Sequence, residues 1–391
     1  YYGEDFYDIS PLATAITGAT FTSTNNNATV TINKTSHGLA VGRYVTFSSV
    51  TLPGGGATGY AVTDFTEKTY EVITSATNSF TITMSAVESG TGMTAAGAAT
   101  INPYELIGPT FQTTGYGWGT YLWGDSTWGT ARTISDVTLD PGLWSLDNFG
   151  EVLVATIHNG KTFTWNAGAA GARSIRASTS TTDFATTSNP TASIMTLVSD
   201  RDRHLFHLGT ETTIGNPATQ DPMFIRFSNQ ENLNSYAPTA TNTAGTFRLD
   251  AGSEIRAAGN AKDYTLVVTD QAAYTIQFVG PPFTFSVRQV GTGCGCIGQN
   301  AIVYANGAVY WMGDAGGFFV FDGTVKSLPC LVEDFVFTTD GENLGLNFGS
   351  NQTIAAGYNS LYDEVMWFYP KSGSTQIDRV VTYNYGENVW T

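Results

Sequence analysis

Apolar and polar positions alternate with a period of two along most of the chain, the spacing that sends successive side chains to opposite faces of a strand. After residue 140 one pattern recurs five times: an apolar strand, a turn, then a second strand rich in aromatics. The pairs are Val152-Leu153-Val154-Ala155 with Phe163-Thr164-Trp165, His204-Leu205-Phe206-His207 with Met223-Phe224-Ile225-Arg226-Phe227, Thr265-Leu266-Val267-Val268 with Tyr274-Thr275-Ile276, Ala308-Val309-Tyr310-Trp311 with Phe318-Phe319-Val320-Phe321, and Glu364-Val365-Met366-Trp367 with Val380-Val381-Thr382-Tyr383. The second copy is split by a long loop. The first strands begin at 152, 204, 265, 308 and 364, so the repeats are 52, 61, 43 and 56 residues apart. A constant hairpin at irregular intervals on the order of 40 to 60 residues predicts propeller blades joined by variable connections, each hairpin supplying inner blade strands. A lone hairpin is marginal in water, whereas radial blades bury both faces, and large aromatics fill the widening gap between them. Asn159-Gly160, Asn306-Gly307 and Asp322-Gly323 fall between strands, where positive φ is needed. The one helical candidate is short, Cys330 to Phe337, just after Pro329.

Residues 25–101 have a different texture. Short alternating segments (Ala28–Ile32, Tyr44–Phe47, Lys68–Ile73 and Ser79–Met84) are separated by turn material such as Pro53-Gly54-Gly55-Gly56 and Glu88-Ser89-Gly90-Thr91-Gly92. They predict a small β-barrel or β-sandwich module inserted into the main domain. The organisation expected is then residues 1–24 as first propeller strand or strands, 25–101 as the inserted module, 102–139 as an aromatic-Gly linker arm, and 140–391 as blades. The arm runs from Tyr116-Gly117-Trp118-Gly119-Thr120-Tyr121-Leu122-Trp123-Gly124 to Trp128-Gly129-Thr130. Its rings suit packing on a neighbouring domain or subunit, and a carbohydrate platform is the other reading.

Composition sharpens the class. Of 391 residues 59 are Thr and 43 Gly, a strand and turn bias that argues against a helical protein, while 41% hydrophobic and 13% aromatic residues argue against disorder. The formal charge is −16, from 17 Lys and Arg against 33 Asp and Glu, and only six residues are Lys. That balance provides no cationic footprint for gripping duplex DNA. No stretch approaches the roughly 20 apolar residues of a membrane-spanning helix, so no membrane insertion is expected. The chain starts at Tyr1-Tyr2-Gly3 without a charged-then-apolar leader, and no signal peptide is expected.

Candidate chemistry is thin. Cys294 and Cys296 form a C-x-C pair with Cys330 far away, short of the four ligands of a structural zinc site, and buried or unpaired thiols are expected. His204 and His207 lie three apart, which on a strand points them to opposite faces, so they cannot share a metal; structural roles are expected for all four histidines. Ser145-Leu146-Asp147-Asn148-Phe149-Gly150 approaches the sialidase turn Ser-x-Asp-x-Gly-x-x-Trp, but the Gly is displaced by one and the Trp is missing. No cluster of Arg accompanies it for a substrate carboxylate. Asp200-Arg201-Asp202-Arg203 is read as a turn ordered by local ion pairs. No phosphate loop, dinucleotide fingerprint or EF-hand loop is present. The expectation is no catalytic, cofactor-binding or metal residue, no cofactor, and no enzyme.

Several strings carry a resemblance as a set: Tyr7-Asp8-Ile9-Ser10-Pro11, Leu143-Trp144-Ser145-Leu146-Asp147-Asn148-Phe149-Gly150-Glu151, Asp202-Arg203-His204, Asp221–Glu231, Thr241–Gly245, Val279-Gly280-Pro281-Pro282-Phe283, Val309–Gly313, Phe321-Asp322-Gly323 with Leu328-Pro329-Cys330, and Glu364–Tyr369. Across residues 1–12 and 110–391 the chain resembles β-propeller tail proteins of tailed double-stranded DNA bacteriophages, similar to the tail nozzle or DNA-stabilisation proteins of podophages. The inserted module, through His37-Gly38-Leu39, Gly42-Arg43-Tyr44-Val45, Lys68–Val72 and Ser79–Ile82, resembles a small β domain that recurs in such virion proteins. The resemblance implies a structural protein of the phage tail that forms a hexameric ring below the portal and adaptor, contacts other tail proteins, and lets duplex DNA pass without tight binding. It supplies no catalytic residues. It also implies that Tyr1 and Thr391 are internal cut points of a longer chain. The alternatives are a receptor-binding or fibre-anchoring tail protein and, behind it, a propeller glycosidase.

Overall fold

A computed structural model describes residues 8–52, 59–86, 92–93, 96–105, 142–168, 189–199, 201–339 and 344–391. The aromatic-Gly arm therefore lies outside the described residues, apart from its first few positions. The described residues up to 105 form one compact unit and those from 142 another.

The first unit is a curled, half-barrel sheet of seven strands: β1 (Ile16–Ser23), β2 (Thr29–Asn33), β3 (Tyr44–Thr51), β4 (Tyr70–Glu71), β5 (Thr74–Ala76), β6 (Ser79–Thr83) and β7 (Ala96–Pro103), in the order β4-β3-β7-β1-β2-β6-β5. Its concave core comes from the period-two pattern: Ala19 and Phe21, Val30 and Ile32, Val45 and Phe47, and Phe80 and Ile82 all point inward. Helix α1 (Val62–Thr66) closes it by setting Phe65 4.8 Å from the Phe21 ring and 6.1 Å from the Phe47 ring. The expectation for residues 1–24 is corrected here: β1 is a central strand of this sheet, paired with both β2 and β7, not a strand of the propeller. Its Gly- and Thr-rich text does not specify a partner. The buried Phe21 does, because its place is in this aromatic core. The sheet also runs two residues past the expected end, to Pro103.

The second unit is a five-bladed β-propeller arrangement. The first blade holds β8 (Trp144–Phe149), β9 (Val152–Ile157) and β10 (Thr162–Asn166). The second holds β11 (Met195–Val198), β12 (Leu205–Leu208), β13 (Phe224–Phe227) and β14 (Gly245–Arg248); the third β15 (Ile255–Asn260), β16 (Thr265–Thr269), β17 (Ala272–Gly280) and β18 (Thr284–Thr292). The fourth holds β19 (Ile302–Ala305), β20 (Ala308–Met312), β21 (Phe318–Phe321) and β22 (Val325–Leu328), and the fifth β23 (Ala355–Asn359), β24 (Glu364–Tyr369), β25 (Arg379–Asn384) and β26 (Val389–Trp390). Every blade is an antiparallel meander. The five hairpins read from the sequence are the second and third strands of the blades, paired as expected. The strands nearest the axis are instead the first of each blade, with β19 flanked by β15 and β23. Asn306-Gly307 closes the β19–β20 hairpin with φ of 48° and 83°, the pair of left-handed residues a two-residue turn requires.

Strands β16 and β20 are buried along their whole length on both faces, because each is covered by the neighbouring blade. The cores accordingly lie between blades. One gathers Leu266 and Val268 with Trp311, Phe318, Trp367 and Trp390; another joins Phe206, Ile225 and Phe227 to Val267, Ile276 and Phe285. The expected helix at Cys330–Phe337 is narrower, α2 (Glu333–Phe337).

Candidate functional site

The near-sialidase string occupies β8 and its turn, and two of its three polar side chains are engaged by the next blade. Ser145 Oγ accepts from the Thr196 amide at 3.0 Å and Asp147 Oδ2 from the Val198 amide at 2.7 Å. Both bonds cross from β8 to β11, so Ser145 and Asp147 fasten the first blade to the second.

His207, on β12, is fully buried. Its Nδ1 lies 2.8 Å from Ser193 Oγ, which donates at 3.1 Å to Thr210 Oγ1, which donates in turn at 2.7 Å to the Ala192 carbonyl. The Ser193 proton therefore points away from the imidazole, and His207 Nδ1–H is the donor of the pair. A serine nucleophile needs the opposite polarity. On the other side Tyr236 OH lies 3.3 Å from Nε2. Burial, aided by the Arg226 charge, pushes the imidazole down to about 3, so it is neutral at physiological pH. His204 sits among Phe227, Phe278 and Phe285, with Nε2 3.1 Å from Thr243 Oγ1, and burial lowers it to about 4. The two histidines thus occupy separate surroundings.

Beside this chain Glu211, also fully buried, accepts from the Thr191 amide at 2.8 Å, Thr191 Oγ1 at 2.9 Å and the Gly215 amide at 2.7 Å. Arg226 Nη2 donates to the Thr212 carbonyl at 2.8 Å. Glu211 and Arg226 thus tie the Gly209–Pro222 connection, through the Gly215 amide and the Thr212 carbonyl, to Thr191 and to β13, while Arg226 Nε is buried without a partner. Of the Asp200–Arg203 run, Asp200 lies outside the described residues; Arg201 is close enough to Asp202 to act on its charge, and the run also reaches adjoining loops, Arg203 pairing with Glu231 at 2.9 Å and Arg201 approaching Asp263 at 3.9 Å.

A cleft of about 310 Å³ opens between the third and fourth blades, lined by Ala251, Asp270, Thr292, Gly295, Gly316 and Phe319 among others. Its walls are connections that approach closely, since a Cβ at Gly295 would collide with the Asp270 carbonyl. Asp270 is engaged by the Ser253 amide and hydroxyl, both at 2.7 Å. The Phe319 ring stacks on Trp311 at 5.7 Å. Cys294 and Cys296 are buried beneath; burial pushes Cys296 up to about 12, which removes it as a thiolate nucleophile. No group of three or more potential metal ligands converges among the described residues. The arrangement provides an apolar recess with no free carboxylate pair, nucleophile or ligand set lining it.

Comparison with known proteins adds likeness of shape only. No family model and no curated protein matches the chain. Among solved structures, the extracellular domain of the one component system protein BT4673 from B. thetaiotaomicron matches with a TM-score of 0.36 and 11% identity over 64% of this chain and 27% of its own length. Kluyveromyces lactis Hsv2 matches at 0.33 and 10% over 63% and 61%, and the phage phi92 endosialidase at 0.24 and 12% over 96% and 71%. This chain spans less than two thirds of the first two of these proteins, and at such scores none of the three bears on its function.

Proposed function

We propose that the protein is a structural component of the tail of a double-stranded DNA bacteriophage, a non-enzymatic nozzle subunit that joins a six-membered ring below the portal and adaptor and lets the genome pass. The observation that carries the reading is where the resembling strings fall. Leu143–Glu151 covers the first strand and turn of the first blade, Asp221–Glu231 the third strand of the second, Val309–Gly313 the second strand of the fourth, and Glu364–Tyr369 the second strand of the fifth. They are blade-building segments, so the resemblance and the propeller support each other.

The charge is consistent with a conduit. A wall with six Lys in 391 residues and a net charge of −16 repels phosphate, so duplex can slide past it without being held. The test is a reconstruction of virions carrying a tagged copy. A six-fold density at the tail axis is the expected result; a peripheral trimer would overturn the reading in favour of a fibre-anchoring protein.

A further inference from the structure

The sequence holds two Asn-Gly pairs, Asn159-Gly160 in the β9–β10 turn and Asn306-Gly307 in the β19–β20 turn, with both asparagines exposed. In this dipeptide the backbone nitrogen that follows the asparagine can attack its carboxamide, because glycine has no side chain to shield that nitrogen. The two pairs share the chemistry and differ in what the fold does to them. Asn159-Gly160 is pinned. The Gly160 amide donates to the Ile157 carbonyl at 2.8 Å, and the Gly160 carbonyl accepts from the Ser193 amide at 3.1 Å, on the way into the second blade. Asn159 Oδ1 accepts from Gln220 Nε2 at 3.0 Å, and Gln220 also donates to the Gly209 carbonyl at 2.8 Å. A Cβ on Gly160 would come within 3.2 Å of Ile157, so the space beside this turn is filled.

Asn306-Gly307 lacks these restraints. Both residues are exposed, and among the described residues neither the Asn306 carboxamide nor the Gly307 amide makes a hydrogen bond. Nothing lies within 4 Å of the point where a Gly307 Cβ would stand. The Ala305–Ala308 pair at its base closes the turn. Within it both residues take left-handed backbone, φ 48° and 83°, a conformation that costs the asparagine on the order of 1 kcal/mol. This turn can therefore open locally without disturbing a neighbouring element, whereas opening the other one breaks bonds to Ile157, Ser193 and Gln220.

We propose that Asn306 is a site of spontaneous covalent modification, converted to aspartate and isoaspartate, and that the fold protects Asn159 from the same reaction. In the opened turn the Gly307 nitrogen gives its proton to solvent and bonds to Asn306 Cγ. The Cγ–Nδ2 bond breaks, and the carboxamide nitrogen takes up a proton and leaves as ammonia. One water then opens the cyclic imide. Cleavage between Cγ and the nitrogen restores the normal main chain with an aspartate, and cleavage at the α-carbonyl gives the isoaspartyl linkage. Both products put a carboxylate where a neutral group stood. The isoaspartyl product also adds one carbon to the main chain of a turn with two residues between its paired ends, a length that the left-handed pair at the end of β19 does not accommodate. The inference is independent of the tail reading.

The test incubates the 391-residue chain in mildly alkaline buffer, folded and in concentrated urea, and follows both sites by peptide mass spectrometry with enzymatic methylation of isoaspartate as the second readout. Three hydrogen bonds hold the Asn159 turn beyond those of the Asn306 turn, at about 1 kcal/mol net each, so folded chain is expected to convert Asn306 at least tenfold faster than Asn159. In urea the two sites are expected to convert at similar rates. Gln220→Ala, with circular dichroism as its folding control, is expected to speed conversion of Asn159 several-fold and to leave Asn306 unchanged. Similar rates at the two sites of the folded chain overturn the inference, and so does a folded chain in which Asn306 stays intact. A preference for Asn306 that persists in urea also overturns it, since the sequence and not the fold would then be the cause. A Gln220→Ala chain whose Asn159 reacts no faster overturns the protective role given to that contact.

Discussion

Trp367 Nε1, on the second strand of the fifth blade, donates to the Ala301 carbonyl at 3.1 Å, just before the first strand of the fourth blade. Trp311 Nε1 reaches the Cys294 carbonyl at 2.9 Å and Trp390 Nε1 the Pro329 carbonyl at 2.8 Å. Indoles on blade strands thus hold the connections that lead from blade to blade, combining a large buried ring with a satisfied polar atom.

Trp367→Phe keeps most of the packing and leaves the Ala301 carbonyl with the Met312 amide as its remaining donor. A loss of about 0.5–1.5 kcal/mol is expected, read as a lower urea midpoint with unchanged slope.

Gly295→Ala is expected to be among the most damaging single-methyl changes, because the added Cβ meets backbone, the Asp270 carbonyl, which cannot rotate aside. The third-to-fourth-blade junction has to shift, and a loss above about 3 kcal/mol is expected, measured by thermal and urea unfolding.

Stability is expected to fall in mild acid. Burial lowers the folded-state values of His207 and His204 to about 3 and about 4, below the ordinary histidine value of about 6.5. Below pH ~6.5 the unfolded chain binds protons that the folded chain refuses, so the contribution is intact above that value and is lost as pH falls toward the folded values, at up to about 1.4 kcal/mol per pH unit for each histidine. Urea titrations at pH 7 and 5 should show the drop, and His207→Gln should remove about half of it. A flat profile would contradict the buried neutral imidazoles.

Duplex DNA is expected not to bind. With the net charge at −16, electrophoretic retardation at ~0.15 M salt should be absent, and any residual association should not follow the steep salt slope of phosphate contacts. Tight, strongly salt-dependent binding would contradict the conduit reading.

The sequence by itself determined the all-β class and the five hairpins, because strands buried between blades need apolar runs with aromatics, and that text is local. It also read His204 and His207 as facing different ways, and the structure places them in separate surroundings, His204 among Phe227, Phe278 and Phe285 and His207 against Ser193 and Tyr236. The tertiary structure alone decided the innermost strands: Ile255–Asn260 and Ala355–Asn359 carry the small residues that fit where strands crowd at the axis, and small residues leave little pattern. It alone placed Ile16–Ser23 in the first sheet, since pairing belongs to the partner strand as much as to the strand itself. The chain of hydrogen bonds from His207 through Ser193 and Thr210 and the glycine-built cleft likewise join residues well apart in sequence, and no local pattern encodes a distance between them.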